Sequence, residues 1–247
     1  MRFDIITIFP NIFDSYFNES ILKRAREKKL VDIRVHNLRD FSADKKHKKV
    51  DDKPYGGGAG MMLMAEPILG AIESLARVKK HAPYRTEGSG GGFRSLKKTK
   101  IVILSAKGKQ FNQKLAYDWS KKYDRIILIS GRYEGIDERV KAALKAEEIS
   151  IGPYVLTDGD VAAMAVVSSL TRLIPGVIDW ESLAEESHWN LMLKKEEGDV
   201  AAGKGLEYPH YTRPDIVVYR GKKYHVPRVL LSGDHKKIKE WRLRHSQ

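Results

Sequence analysis

Cysteine is absent from this chain of 247 residues. Its absence excludes disulfide bonds, zinc–thiolate sites and a thiol nucleophile, and it is typical of a cytoplasmic protein. The sequence also lacks a run of about 18 apolar residues, the length that a membrane-spanning helix needs. Its first ten residues, MRFDIITIFP, have neither the basic start nor the long apolar stretch of a secretory signal. We therefore expect a cytoplasmic protein that makes no membrane contact.

Acidic residues are scarce relative to basic ones, and the formal net charge is +13. The imbalance is concentrated in two blocks. Residues 79–109 hold nine Lys/Arg and one acid, and residues 206–247 hold ten Lys/Arg and four acids. Solubility alone could explain a basic chain, but two separate basic blocks favour a polyanionic partner, nucleic acid in the first place.

Apolar strands alternate with amphipathic helices along most of the chain, which predicts an α/β fold with a largely parallel sheet. The hydrophobic fraction of 42% is sufficient for a core. The predicted strands are residues 3–9, 31–37, 100–105 and 125–130, and a short strand ending at residue 151. The predicted helices are residues 13–29, 67–78, 110–121 and 136–144, and a helix that starts near residue 160.

Three of these strands run into polar loops that contain glycine, at residues 104–108, 131–135 and 152–159. In open α/β sheets, ligands bind outside the carboxyl ends of the strands. We therefore expect the three loops to form one pocket, although each βα unit alone could be ordinary sheet architecture.

The last of these loops leads into a helix that ends before Pro175-Gly176. Asp158 or Asp160 can cap its first turn, where free N–H groups attract a carboxylate. The spacing of its larger apolar residues predicts a buried face of Val161, Met164, Val167 and Leu170.

A glycine cluster, GGGAG at residues 56–60, matches no nucleotide-binding fingerprint. Met61 stands where a dinucleotide fingerprint needs its third glycine, and no G-K-[ST] follows, which excludes a P-loop. The cluster could be a flexible turn, but its flanks, Asp51-Asp52 and Met61-Met62-Leu63-Met64, indicate an ordered loop.

The helix and strand pattern breaks down twice. Residues 81–100, rich in Gly, Ser and Lys, predict a disordered surface excursion, and residues 179–205 predict an interdomain linker. The chain thus divides into a domain at 1–178, the linker, and a domain at 206–247 with a strand pair and a basic final helix. A domain of about 40 residues is too small to be stable without docking or oligomerising.

Four motifs occur in the order found in one family: DDKPYGGGAGM (residues 51–61), SGRYEGIDERV (130–140), SIGPYVLTDGD…SLTRLIPG (150–176) and LEYPHYTRP…VPRVLLSGDH…WR (206–242). The chain closely resembles the bacterial tRNA (guanine-N1-)-methyltransferases of the SPOUT superfamily, which modify the guanine 3′ of the anticodon at tRNA position 37. The resemblance implies a SPOUT fold with a deep C-terminal trefoil knot and a small, mainly helical C-terminal domain. It also implies a homodimer, S-adenosylmethionine as cofactor, assistance by Mg²⁺, and the tRNA anticodon stem-loop as partner.

The resemblance assigns site residues by matching motifs. Arg172 would meet guanine O6, Glu134 would contact the substrate or cofactor, and Asp52 and Arg213 would bind tRNA. No metal ligand can be assigned. The cofactor would be held, largely through backbone groups, by Leu104, Ser105, Gly131, Ile151, Gly152, Pro153, Tyr154, Val155, Leu156 and Gly159.

Transfer to guanine N1 requires a base, because that nitrogen carries a proton at neutral pH. In the family the base is a linker aspartate supplied by the other subunit, and here Glu186 takes its place. Glu185 is an adjacent alternative, and both could be solvated linker acids. Arg172 could equally be a structural cation at a helix end, and Glu134 a helix cap.

The sequence departs from the family pattern at Pro153 (usually aspartate), Asp158 (usually glycine), Ala162 (usually proline) and Asp234 (usually asparagine). These departures and the altered base leave open an RNA-binding protein with impaired or lost catalysis. A nucleotide-dependent oxidoreductase is disfavoured by the missing fingerprint.

Overall fold

The computed structural model of the protein describes residues 1–77, 98–179 and 208–245. The chain folds as two compact units, Met1–Asp179 and Trp180–Gln247. The predicted excursion that begins at residue 81 lies outside the described residues up to residue 97. The predicted linker lies outside them too, apart from Asp179. In the described ranges, no helix combines the length and the apolar character needed to cross a membrane.

A five-stranded, fully parallel sheet organises the first unit, in the order β2-β1-β6-β5-β7. This confirms the predicted mixed α/β class. A two-stranded antiparallel ribbon, β3 with β4, flanks the glycine cluster. The strands are β1 (Arg2–Thr7), β2 (Asp32–Asn37), β3 (Asp51–Asp52), β4 (Met62–Leu63), β5 (Thr99–Gln110), β6 (Arg125–Ser130) and β7 (Glu147–Ser150).

Helices cover both faces of the sheet: α1 (Asp14–Phe17), α2 (Ser20–Glu27), α3 (Ala65–Arg77), α4 (Gln113–Lys122), α5 (Glu138–Leu144) and α6 (Asp160–Thr171). Ile127 and Ile129 of β6 belong to the hydrophobic cluster that α3 and α5 complete. Helix α6 packs against β1 and β6. Burial on both faces explains why β1 and β6 are buried over their whole length and why the interior of β6 reads as a continuous apolar run.

The single helix predicted over residues 13–29 is wrong, because the chain forms two short helices there. Glu19 is extended and Ser20 has φ of +50°, which no right-handed helix accommodates. Asn18, Glu19 and Ser20 are polar residues that interrupt the apolar spacing. Phe13 and Phe17 are nevertheless buried, and their ring centroids stack 5.4 Å apart.

The predicted buried face of α6 is half wrong. Val167 and Leu170 are buried, but Val161 is 47% exposed and Met164 only partly buried. The alanines Ala162 and Ala163 with Val166 complete the inner face instead. The helix is apolar on all sides, so spacing alone could not select the side that meets the sheet, and the small alanines allow the closest approach.

A buried ionic cluster joins the amino-terminal part of the sheet. Asp4 is fully buried and accepts hydrogen bonds from Arg2 Nη2 (2.7 Å) and Arg125 Nε (2.6 Å), and its Oδ1 lies 2.7 Å from His36 Nε2. Burial alone would raise the pKa of Asp4. The hydrogen bonds from His36, Arg2 and Arg125 outweigh it and hold the pKa well below its ordinary value.

The C-terminal unit contains a hairpin of β8 (Ile216–Tyr219) and β9 (Lys222–His225), a short helix α7 (Arg228–Leu231) and a basic helix α8 (His235–His245). They lie where the sequence predicts a strand pair and a final helix. Asp234 caps α8 by accepting the Lys237 N–H at 3.1 Å. Tyr211 and His245 pack on Trp241 at 6.3 and 4.2 Å. None of residues 208–245 is fully buried.

Candidate active site

The three loops predicted at strand ends line one cleft of about 440 Å³ at the carboxyl edge of the sheet, hereafter the strand-end cleft. They contribute residues 103–107 from β5, 131–138 after β6, and 148–151 with 154–159 from the end of β7 to the start of α6. The position agrees with the rule that ligands of parallel sheets bind beyond the carboxyl ends of strands.

The first loop is an excursion within a single strand. Leu104 and Lys109 of β5 both pair with Ile149 of β7, so residues 105–108 leave the ladder and return to it. Gly108 lies so close to β7 that a Cβ would be 2.5 Å from the Ile149 nitrogen. The expectation that the strand ends at Ser105 is therefore wrong. The following helix starts at Gln113, where Asn112 Oδ1 accepts the Leu115 N–H at 2.9 Å.

The second and third loops touch through their backbones. The Gly159 N–H donates to the Gly131 carbonyl at 2.8 Å, and a Cβ on Gly159 would lie 2.8 Å from the Gly131 nitrogen. A Cβ on Gly131 would in turn lie 3.1 Å from the Leu104 carbonyl oxygen of the first loop. Glycine at these two positions lets three sequence-distant loops meet at one point.

One guanidinium also ties these loops to the end of β1. Arg132 Nη1 donates to Asp158 Oδ2 at 3.1 Å, and the same guanidinium lies 4.4 Å from the ring centroid of Phe9. The other carboxylate oxygen of Asp158 accepts the Asp160 N–H at 2.9 Å. The predicted cap of α6 is thus provided by Asp158, and the Arg132–Asp158 pair spans two walls of the cleft.

Asp160 has a different role from the predicted cap. Its side chain is 1% exposed and accepts a hydrogen bond from Thr7 Oγ1 at 2.8 Å. Burial raises the pKa of Asp160, and hydrogen bonds from Ser130 and Thr7 act in the opposite sense. The carboxyl group joins the ends of β1 and β6 to the start of α6 beneath the cleft.

The glycine cluster is positioned beside the cleft through Glu134. The Glu134 N–H donates to the Met61 carbonyl at 3.0 Å, and a Cβ on Gly60 would lie 2.7 Å from the Glu134 side chain. Leu63 forms a parallel bridge with Ile136. These contacts support the expectation of an ordered loop rather than a flexible turn. Gly56, Gly57, Gly58 and Gly60 all have positive φ.

Four charged side chains form the wall opposite the glycine contacts. Lys107 binds Glu138, and Lys141 binds Glu148. The hydrogen bond with Glu138 raises the pKa of Lys107 above its ordinary value. Together with Arg132, these residues line the cleft and were not predicted as site residues. Lys107, Arg132 and Glu138 lie in or shortly after the strand-end loops, which was their signal in the sequence. Lys141 lies within α5 and Glu148 within β7, and neither had such a signal.

Most of the predicted cofactor residues line the cleft: Leu104, Ser105, Gly131, Ile151, Tyr154, Val155, Leu156 and Gly159. The other two do not. Gly152 is buried under the ring of Tyr154, to which a Cβ would approach within 2.2 Å, and Pro153 is exposed to solvent.

The remaining candidates are dispersed. Glu134 lines the cleft and is exposed, whereas Arg172 lines a separate depression that also contains Tyr16 and Ile21. Asp52 is exposed and bonded to Lys49 at 2.8 Å, and Arg213 is exposed in the C-terminal unit. Glu185 and Glu186 lie outside the described residues. Among the residues that the structure does describe, no group of three or more His, Asp or Glu could hold a metal ion.

Fold and cleft together define an α/β protein with a candidate ligand site at the carboxyl ends of its parallel strands. Comparison with known proteins specifies the class further. A family model described as tRNA (Guanine-1)-methyltransferase TrmD matches residues 1–247. The chain therefore belongs to the TrmD family and is a tRNA guanine-N1 methyltransferase.

Individual relatives are similar in sequence to this chain along nearly its whole length. A tRNA (guanine-N(1)-)-methyltransferase of Thermomicrobium roseum is 47% identical over 98% of this chain and 77% of its own length. Proteins of the same name from Dictyoglomus turgidum and Clostridioides difficile are 46% and 45% identical. Each alignment covers 98% of this chain, and 83% and 90% of those relatives respectively.

Proposed function

We propose that this protein transfers a methyl group from S-adenosylmethionine to N1 of the guanine at tRNA position 37, as a homodimer. The observation that carries the proposal is the strand-end cleft, where three loops from distant parts of the chain meet with eight of the ten expected cofactor residues. Its volume of about 440 Å³ falls within the range of small-molecule sites, roughly 300–1,000 Å³.

The residues present fit this cofactor. Tyr154, Val155 and Leu156 expose apolar surface at the cleft, 53%, 85% and 37% respectively, which suits a flat nucleobase. Gly131 and Gly159 let backbone groups approach a ligand where a side chain would intrude. When bound, S-adenosylmethionine supplies an electrophilic methyl group on a positively charged sulfur.

The reaction then requires the chain to accept the proton of guanine N1 and to stabilise the charge that develops on the guanine. Guanine N1 loses its proton as it gains the methyl group, and we assign Glu186 as the carboxylate that accepts that proton. Negative charge shifts towards O6, where Arg172 would donate hydrogen bonds. Glu134, which faces the cleft beside Gly60, would position the substrate guanine.

Two observations support a homodimer. Phe9, Ile12, Tyr16, Ile21 and Val161 are large apolar side chains, each 38–47% exposed, from the β1 end, α1, α2 and α6. Single exposed apolar residues are common, but several on neighbouring elements favour an interface. Arg172 also lies at the depression next to Tyr16 rather than in its own chain's cleft, so a second copy would have to bring it to the substrate.

The finer architecture belongs to the same proposal. A trefoil knot is supported by the close backbone passage of residue 159 against residue 131. A separate C-terminal tRNA-binding domain is supported by the division of the chain at Asp179 and by the basic helix α8. Asp52, Arg213 and assistance by Mg²⁺ stay predictions.

Methyl transfer to unmodified tRNA tests the proposal. We expect methylation of a transcript with guanine at position 37 and none of the same transcript with adenine there. Glu186→Gln should lower turnover about 10²- to 10⁴-fold with cofactor affinity nearly unchanged, because a general base contributes on that order. Glu185→Gln is the matched control and should keep near-normal turnover.

Two results would contradict this account. Binding of tRNA and cofactor without transfer at any Mg²⁺ concentration would refute the proposed reaction. Near-normal turnover of Glu186→Gln, with loss in Glu185→Gln, would move the base to the neighbouring position.

A further inference from the structure

The β8–β9 hairpin exposes every one of its strand residues to solvent. Val217, Val218, Tyr219 and Tyr224 are each 50–62% exposed. A hydrophobic two-stranded ribbon open on both sides is marginal in water, so a surface of this kind indicates a missing partner.

The register assigns the side chains to two faces. Val217 pairs with Tyr224, and Tyr219 with Lys222, which places these four side chains on one face of the ribbon. Ile216, Val218, Lys223 and His225 share the other face. The first face is aromatic and basic, and it is named the tyrosine face below.

A cation accompanies each ring of the tyrosine face. The Arg220 guanidinium lies 5.3 Å from the Tyr219 ring centroid, and Lys222 Nζ lies 5.4 Å from that of Tyr224. Arg220 and Gly221 both have positive φ, +49° and +75°, which gives the tight two-residue turn that holds Arg220 beside the rings. Each ring is thus a stacking surface with positive charge within reach.

Other described aromatic residues of this unit contact one another. Trp241 lies against Tyr211 and His245, and Tyr208 lies against His210 and the Arg242 guanidinium. Among described residues, Tyr219 and Tyr224 have no ring contact with another aromatic side chain. Their rings therefore remain available to an outside partner.

The positive charge of the hairpin indicates which kind of partner it binds. Residues 216–225 contain three Lys/Arg and no Asp or Glu, within a chain of net charge +13. A second copy of the same cationic hairpin would be repelled. Single-stranded RNA offers bases that stack on tyrosine rings and phosphates that pair with lysine and arginine.

We propose that the tyrosine face of the β8–β9 hairpin is an RNA-contact surface. It stacks unpaired nucleotides of the substrate tRNA on Tyr219 and Tyr224 while Arg220 and Lys222 pair with the adjoining phosphates. The proposal rests on the proposed function for the identity of the RNA, and it adds residues of the C-terminal unit that hold that RNA.

The test compares the full-length wild-type protein with the double variant Tyr219→Ala/Tyr224→Ala on unmodified tRNA with guanine at position 37. We expect the KM for tRNA to rise about 25-fold or more, because each base–ring stack is worth about fivefold or more and the variant removes two. The kcat and the Kd of the cofactor should stay within about twofold. Tyr219→Phe/Tyr224→Phe keeps the rings and should restore the wild-type KM.

Two further variants add a matched control and a test of the charge contact. Tyr117→Ala removes a tyrosine of α4 that also carries a lysine, Lys121, at 5.5 Å, and it should leave the tRNA KM unchanged. Lys222→Ala should weaken tRNA binding at low salt and reduce the slope of log affinity against log salt by about 0.7, the value per phosphate contact on single strands.

The outcomes separate the inference from the proposed function. An unchanged tRNA KM in the folded double-alanine variant overturns the hairpin surface and leaves the reaction intact. If the wild type transfers no methyl group, fluorescence anisotropy with labelled tRNA still compares the same variants. Dissociation of the dimer by the double-alanine variant, measured by sedimentation, would show that a second copy occupies the face and would overturn the inference.

Discussion

The two units of this chain differ in how far their residues are buried. In the Met1–Asp179 unit, β1 and β6 are buried end to end, and even a carboxylate is buried with three partners. In the described part of the C-terminal unit, no residue is fully buried and the hairpin is exposed on both faces. The first unit can hold a cleft by its own packing, whereas the described part of the second leaves most of its surface to solvent.

The contrast extends to glycine and charge. Gly159 of the first unit is required by space, whereas Gly221 in the hairpin has open space and is required only by its φ of +75°. Within residues 208–245, ten Lys/Arg stand against three acids, Asp215, Asp234 and Glu240. Pairs of variants that make a similar change in each unit can test this contrast.

The largest expected effect concerns a buried against an exposed aspartate. Asp4→Asn leaves Arg2 and Arg125 buried beside a neutral amide and should lower the free energy of unfolding by about 3–5 kcal/mol. Asp234→Asn changes an exposed helix cap to an equally good cap and should change it by less than about 0.5 kcal/mol. Thermal and urea unfolding measure both, and equal effects would refute the contrast.

The free energy of unfolding should also depend on pH through Asp4. The pKa of Asp4 is lowered in the folded protein, so the unfolded chain takes up this proton first as acid is added. The stability that Asp4 contributes is present above about pH 4 and is lost as the pH falls below it. Asp4→Asn should remove this part of the acid sensitivity, and a wild-type-like acid profile in the variant would contradict it.

A glycine pair gives the next effect. Gly159→Ala forces a methyl group to within 2.8 Å of backbone and should weaken cofactor binding about 10- to 100-fold. Gly221→Ala meets no atom, but the left-handed conformation costs about 1–2 kcal/mol locally. It should raise the tRNA KM a fewfold and leave the cofactor Kd unchanged. Calorimetry of cofactor binding distinguishes the two, and a tight-binding Gly159→Ala would argue against a cofactor site there.

The smallest effect concerns ion pairs. Asp158→Ala breaks the hydrogen-bonded pair with Arg132, in which the Asp158 side chain is only 8% exposed. It should weaken cofactor binding about tenfold, near 1.4 kcal/mol. Glu240→Ala breaks a pair with Arg244 at 3.7 Å whose side chains are 50% and 73% exposed, and should change stability by under about 0.5 kcal/mol. Asp158→Asn should recover part of the affinity, since its amide oxygen can still accept from Arg132. A cofactor Kd unchanged in Asp158→Ala would show that the pair is not needed.

Much of the first unit could be predicted because its signals are local. Buried parallel strands read as short apolar runs, and the loops after 104, 131 and 152 carry glycine where backbones must approach. The strand boundaries at Arg125–Ser130 agree with the prediction residue for residue. The convergence of the loops followed from the rule for strand ends, without any knowledge of their contacts.

What could not be predicted depends on partners far away in the sequence. Arg125 meets Asp4 across 121 residues, and no periodicity reveals that pairing. The return of β5 to its ladder at Lys109 depends on β7, about 40 residues later. Likewise, the inner face of α6 was chosen by the sheet it meets rather than by its own spacing. Glu186, the proposed base, lies outside the described residues and stays a prediction.

The strand order has a consequence for synthesis on the ribosome. β1 is made first, yet its partner on one side, β6, begins at Arg125. During the interval, which is roughly 6–25 s at typical elongation rates, β1 has β2 as a strand neighbour on one edge but lacks β6 on the other. Completion of this sheet therefore has to wait until β6 and β7 have been made, and the segment that contains β1 is where we expect chaperones to be needed most.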